Sequence, residues 1–341
     1  MRIFTVMLSI VAFLLACQPT PEVQIITGHA QGTTYSVKYW TDAESPDKHA
    51  LKQTIDSELA RIDSLMSNYR DDSAIEQFNQ QQVVNQPIPL DKEILALLDV
   101  SAAVYQASQH CYDPTIKPLF NIWGFSKNQL NIPNRQQIQQ ALTAIGFDKL
   151  QRHANGISKT NPKQTIDLSA IGQGYAVQQI ANLLEKEGIS DYLVEIGGEM
   201  LVAGSKPASQ QWRVGVERPL PDSQAVSEVI TLTGKRPTAI MTSGTYRHYF
   251  DDHGKRYSHI LDPRSGKPIE HNSVAVTVLL DDATQADAWS TALLCLGSED
   301  GLQVANENAI PAVFYDMEDG EITRRESDGV KQSDAYWRIE R

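Results

Sequence analysis

Ile166-Asp167-Leu168-Ser169-Ala170-Ile171-Gly172-Gln173-Gly174-Tyr175 reads as a strand-like run entering a helix, with glycines at the junction. A G-x-G-x-x-G here, directly after the strand, would signal a dinucleotide-binding parallel sheet, and that fingerprint is missing. The flanks therefore decide the fold. Downstream, Gly172 opens a helix running to about Gly188, where glycine suits a helix end. From Tyr192 the pattern changes. Residues 192–202, 212–216, 228–232, 256–261 and 273–280 read as strands broken by Gly, Pro and Asp turns, and one more helix, about 283–295, follows. Upstream, 34–40 is strand-like. Leu51, Ile55, Leu59, Ile62 and Met66 keep helical spacing, and 90–107 and 136–145 form two further helical stretches. The order is mixed rather than strictly alternating. It predicts an α+β fold with mixed, mostly antiparallel sheets and packed helices, not a Rossmann fold.

The chain has 341 residues, 41% hydrophobic and 21% charged, enough to bury a real core in one large domain or two smaller ones. A net charge of -12 without any Lys/Arg block gives no footprint for nucleic acid. The N-terminus stands apart. Arg2 precedes an apolar run over 3–16, too short to span a bilayer but suited to a signal-peptide core. It ends in Leu14-Leu15-Ala16-Cys17, which resembles a lipoprotein signal cut before Cys17, with the thiol lipidated. Gln18-Pro19-Thr20-Pro21 then reads as a tether. The expected organisation is a signal peptide at 1–17, a tether at 18–27 and one domain at 28–341, held on a membrane by lipid without spanning it. Cys111 and Cys295 remain of three cysteines. Two thiols in an exported protein are able to pair, but sequence does not show that they meet, and the expectation is two buried small hydrophobes. No His/Cys cluster has zinc spacing.

Four segments carry chemistry. At Ile166 to Tyr175 the glycines would let backbone approach a ligand, and the helix start offers free N–H groups to an anion such as a diphosphate. Asp167 is an acceptor for a ribose hydroxyl or a base edge. Spacing alone favours a plainer use of Gly172 and Gly174, tight helix packing. In Ala286-Asp287-Ala288-Trp289-Ser290-Thr291, Asp287 and Thr291 stand four apart on one helical face, hard oxygen donors that suit Mg²⁺. By itself the pair is better explained by a capped, solvent-facing Asp and an incidental Thr. His259 falls late in a strand, before the Asp262-Pro263 and Ser265-Gly266 turn, where it is able to take a proton from a hydroxyl or serve simply as a hydrogen-bonded strand residue. Gly197-Gly198, inside a strand reading, suggests a bulge, a close backbone approach or a packing device.

These segments, with others in the same order, resemble the ApbE family of FAD:protein FMN transferases. The matching runs are Gly32-Thr33-Thr34-Tyr35; Met66-Ser67-Asn68-Tyr69-Arg70-Asp71-Asp72-Ser73; Tyr112-Asp113-Pro114-Thr115-Ile116-Lys117-Pro118-Leu119 with Trp123-Gly124-Phe125; Ile166 to Tyr175; Gly197-Gly198-Glu199; Thr242-Ser243-Gly244; His259 to Gly266; and Ala286 to Thr291. The resemblance runs from about Gly28 to about Tyr315.

It implies Mg²⁺ held by Asp287, Thr291 and the Ala170 carbonyl, and FAD, as substrate and FMN donor, held by Tyr69, Cys111, Tyr112, Asp113, Asp167, Gln173, His259 and Gln31. Relatives often carry Lys where Gln173 stands and Met where Gln31 stands. The implied reaction splits FAD, releases AMP and joins FMN through a phosphoester to a Thr or Ser of a partner flavoprotein, with His259 as base and Asp287 at the metal. The implied partners are flavin-carrying subunits of membrane electron-transport complexes, reached from a lipid anchor on the periplasmic face of the membrane, the inner membrane favoured. The alternatives are an FAD pyrophosphatase and a non-enzymatic flavin-binding lipoprotein.

Overall fold

Eight strands lie side by side in the order in which the chain makes them: Gln24–Ala30, Thr33–Trp40, Asp191–Ile196, Glu199–Ala203, Thr238–Gly244, Ser273–Leu280, Ala312–Glu318 and Glu321–Glu326. Every neighbouring pair is antiparallel. The computed structural model describes residues 22–41, 46–220, 225–234, 236–246, 248–332 and 336–340. The expected signal peptide and Cys17 lie outside them. Among the described residues no helix is long and apolar enough to cross a membrane.

The inner strands alternate, but both of their faces are apolar. Val194, Leu201, Ala239, Met241, Val276, Val278 and Phe314 point into one core; Leu193, Val202, Ile240, Ala275, Leu279, Val313 and Tyr315 point into another. A period of two with apolar residues in both registers means a sheet covered on both sides. Helices cover the first face. Lys48–Met66 buries the five residues its spacing picked out, and Ser169–Lys186 packs against both the sheet and the long late helix Ala283–Glu307. The second face is covered by a three-stranded sheet of Arg213–Glu217, Val226–Leu232 and Trp337–Glu340, with Trp212 and Trp337 buried between the layers. A smaller cluster of Leu119, Trp123, Phe125, Ile138 and Leu261 joins the helices Lys117–Trp123 and Arg135–Leu142 to the ribbon ending at Pro268, and Trp123 Nε1 donates to the Gly266 carbonyl at 2.9 Å.

The α+β reading holds, and all described pairings are antiparallel. Several local readings are corrected. The first strand starts at Gln24, inside the stretch read as tether. The run 164–168, ahead of the helix, belongs to no strand. The Asn79 side chain takes the place of a neighbouring strand, donating to the Ile166 carbonyl at 2.9 Å and accepting from its N–H at 2.7 Å. The helix then begins at Ser169, not at Gly172. The 192–202 reading is two strands: Ile196 pairs with Glu199 across Gly197 and Gly198, both at positive φ (61° and 98°), a two-residue hairpin turn that glycine suits. The late helix runs on to Glu307, past a break at Gly297 (φ 77°).

Candidate active site

One cleft of about 400 Å³ gathers residues from widely separated parts of the chain. The turn after the first long helix contributes Asn68 and Tyr69, and the bend after the helix Lys92–Ala107 contributes Cys111, Tyr112 and Asp113. The start of the Ser169–Lys186 helix adds Asp167, Ala170 and Gln173; the end of the Thr238–Gly244 strand adds Thr242 and Ser243. Lys117, Glu199, His259, Asp287, Thr291 and Cys295 also line it. All the residues that the family resemblance implies for FAD and Mg²⁺ line this cleft except Gln31. That residue sits in the two-residue turn between the first two strands, at φ 51° beside Gly32, and its Oε1 is buried without a partner.

Asp287 is buried on the late helix. Its Oδ2 accepts the Gly174 N–H at 2.7 Å, and burial pushes its carboxyl up to about 7, with that N–H opposing the rise. The contact depends on glycine: a Cβ on Gly174 would come 2.3 Å from the Ala283 carbonyl and 2.5 Å from the Asp287 Cβ. Tight packing and site geometry are therefore the same fact here. One turn on, Thr291 Oγ1 lies 3.1 Å from Ser243 Oγ, which also lies 2.8 Å from Ser290 Oγ. A buried carboxylate, a hydroxyl and the cleft-lining Ala170 are oxygen donors of the kind a hard divalent cation takes. A cation there would offset the charge that burial makes costly. The described His, Cys, Asp and Glu residues form one further close trio, Cys111, Asp262 and Cys295, but its sulfurs are in a disulfide and hold no metal.

Asp167 is also buried, and burial raises its carboxyl pKa against the pull of Ser169, whose N–H and hydroxyl donate to Oδ1 at 2.9 and 2.5 Å. Asn68 Nδ2 donates to the same oxygen at 2.6 Å, while its own Oδ1 is buried without a partner and is left for a donor from outside. Tyr69 beside it is 90% exposed, an aromatic face free for stacking on a flat ring. Asp113 is fixed by Thr115, whose N–H and hydroxyl donate to Oδ1 at 2.7 and 2.6 Å, and burial lifts it to about 6. Tyr112 is buried against Ser101, 3.1 Å from its hydroxyl. Cys111 is not a free hydrophobe: it forms a disulfide with Cys295, 184 residues away, which ties this wall to the late helix. Both sulfurs are buried as expected, but the sequence separation hid their meeting.

His259 stands just past the Lys255–Ser258 strand rather than within it. Its Nδ1 lies 2.7 Å from the His248 carbonyl, so Nδ1 carries the proton and Nε2 is the bare acceptor. Burial drops its pKa to about 4, only partly offset by that carbonyl. Gln173 reaches the hairpin turn, where a Cβ on Gly197 would come 2.6 Å from its Nε2. Sequence reasoning assigned no role to Asn68, Glu199 or Ser243. Each lay within a matched motif, but nothing in its residue type marked it. Glu199 is buried and accepts the Thr242 N–H at 3.0 Å.

The sequence profile of the ApbE family matches residues 31–314. The FAD:protein FMN transferase of Vibrio cholerae is 34% identical over 316 residues, which span 92% of this chain and 93% of that protein. Among solved structures, the flavin transferase ApbE of Vibrio cholerae matches with a TM-score of 0.83 at 33% identity, over 92% of this chain and 99% of its own. The apo form of Pseudomonas stutzeri flavinyl transferase ApbE matches with a TM-score of 0.84 at 34% identity, over 92% and 97%.

Proposed function

Because this chain belongs to the ApbE family, we propose that it is an FAD:protein FMN transferase. The observation that carries the reading is the pairing of buried Asp287 with half-buried Thr291, in the same cleft as Tyr69 and Asp167. One end of the cleft chemistry suits a cation; the other suits a flat ring and its hydroxyls.

In this reading Tyr69 stacks on a ring of FAD, Asn68 and Asp167 meet its donors, and Gln173 lies near the phosphates. A Mg²⁺ held by Asp287, Thr291 and the Ala170 carbonyl would neutralise the diphosphate and stabilise charge on the departing AMP. The acceptor is a Thr or Ser hydroxyl of a partner flavoprotein. Its oxygen bonds to the phosphorus of the FMN half while the bond from that phosphorus to the bridging oxygen breaks. The electron pair leaves with AMP, and the hydroxyl proton passes to His259 Nε2, the nitrogen left bare by the His248 contact. The partners of this reading are flavin-carrying subunits of membrane electron-transport complexes. The sequence of the first residues suits lipidation at Cys17 and work at the periplasmic face of the inner membrane.

The test is made on the full chain in detergent, with FAD, Mg²⁺ and a candidate acceptor subunit. The expected result is an acceptor mass gain of one FMN, matched by AMP and lost in Asp287→Ala. AMP and free FMN with no labelled acceptor would make it a pyrophosphatase instead. FAD bound but intact would leave a carrier.

A further inference from the structure

The cleft is acidic: Asp113, Asp167, Glu199 and Asp287 all line it, and all four are buried. Among the described residues of the lining, Lys117 is the sole lysine or arginine. Its side chain is only 16% exposed, and its Nζ is held by the Glu76 carboxylate. Glu76 is itself buried, stays out of the lining, and accepts from Asn79 Nδ2 at 2.9 Å. The ammonium is thus fixed in the wall before any ligand arrives. Its charge also reaches Asp167, where it opposes the rise that burial imposes.

We propose that Lys117 binds the phosphates of the dinucleotide substrate; the proposal rests on the FAD reading above. An anionic diphosphate entering a water-poor cleft lined by carboxylates meets like charge, which is costly at low dielectric. A metal ion answers part of that charge. Lys117 answers more of it from the protein, as a compact point charge of the kind phosphates accept. Its ion pair with Glu76 limits the side-chain freedom to be lost on binding. A plainer role exists for the same pair, a clamp between the helices Ala74–Gln80 and Lys117–Trp123. The two roles disagree about Glu76. A clamp is broken equally from either side, whereas a phosphate-binding lysine survives, or gains from, the loss of its opposing charge.

The experiment measures equilibrium binding of FAD, ADP and riboflavin to the full chain in detergent, with melting temperatures to confirm folding. Lys117→Met is expected to weaken FAD and ADP by about tenfold or more, to flatten the salt dependence of their binding, and to leave riboflavin unchanged. Lys117→Arg should restore most of the loss, and Glu76→Gln should bind FAD as well as the parent chain or better. The inference is overturned if Lys117→Met binds FAD normally, if it loses FAD and riboflavin alike, or if Glu76→Gln is as damaging. A parent chain that binds none of the three would overturn the FAD reading and this inference with it.

Discussion

His259 keeps its two ring nitrogens in different chemical states. Nδ1 is committed to the His248 carbonyl, so a proton arriving at the ring must go to Nε2. Burial holds the pKa at about 4, below the ordinary value of about 6.5. Between those two values the unfolded chain takes up a proton that the folded chain refuses. The stability this group contributes is therefore complete above about 6.5 and is lost as pH falls through that window. For the reaction, the ring stays competent as a base well below neutrality. The rate of FMN transfer, followed against pH, is expected to show no acid limb near 6.5, and His259→Gln is expected to lower the rate at every pH tested by about 10²–10⁴-fold. A parent acid limb at 6.5 that vanishes in the variant would show instead an ordinary histidine. His259 stood out in sequence because a turn follows it. Its carbonyl partner did not, since eleven residues of hairpin bring His248 back and nothing in the residue types announces that contact.

Helices were easier to read than strands, and the reason lies in what each buries. Leu51, Ile55, Leu59, Ile62 and Met66 repeat at helical spacing because one stripe of that helix meets the core. Strand Thr238–Gly244 is built from Thr, Ala, Met and Ser as well as Ile, and Glu321–Glu326 is a charged edge; neither shows an apolar alternation, and both were missed. The glycines at the Ser169–Lys186 helix were recognised, but their two duties were not separable by spacing. A Cβ at Gly172 has Met66 Sδ as its nearest neighbour at 3.6 Å, an ordinary contact, whereas one at Gly174 collides with the late helix. Denaturant unfolding of the two alanine variants should separate them. Gly172→Ala is expected to be neutral or to gain up to about 1 kcal/mol from helix propensity. Gly174→Ala should lose about 1–3 kcal/mol through overpacking, and most of the AMP release too, because Asp287 moves with the helix. Equal effects at both positions would remove the packing argument.

Across the whole molecule, the disulfide is the longest covalent reach, joining residue 111 to residue 295 through the wall of the cleft. Removing both sulfurs as Cys111→Ala/Cys295→Ala is expected to cost about 2–5 kcal/mol, largely by freeing the unfolded chain. In thermal melts the parent chain with reductant should fall to that variant's lower midpoint, while the variant itself is unmoved by reductant; a parent chain indifferent to reductant would refute this. Architecture at this scale was legible because mixed element order excludes a doubly wound sheet, while the count of layers was not, since Trp212 and Trp337 cover the far face from opposite ends of a long stretch of sequence. The order of the eight strands has a consequence for manufacture. A sheet whose spatial neighbours are also successive in the chain never needs a strand wedged between two that have already joined. In the proposed periplasmic setting, a polypeptide emerging N-terminus first can therefore lay it down from one side, always at an advancing margin, with the helices from Lys48–Met66 to Ser169–Lys186 arriving between the second strand and the third. Cys295 emerges after six strands and before the last two, so the covalent seal on the cleft closes late, over a frame that is mostly built.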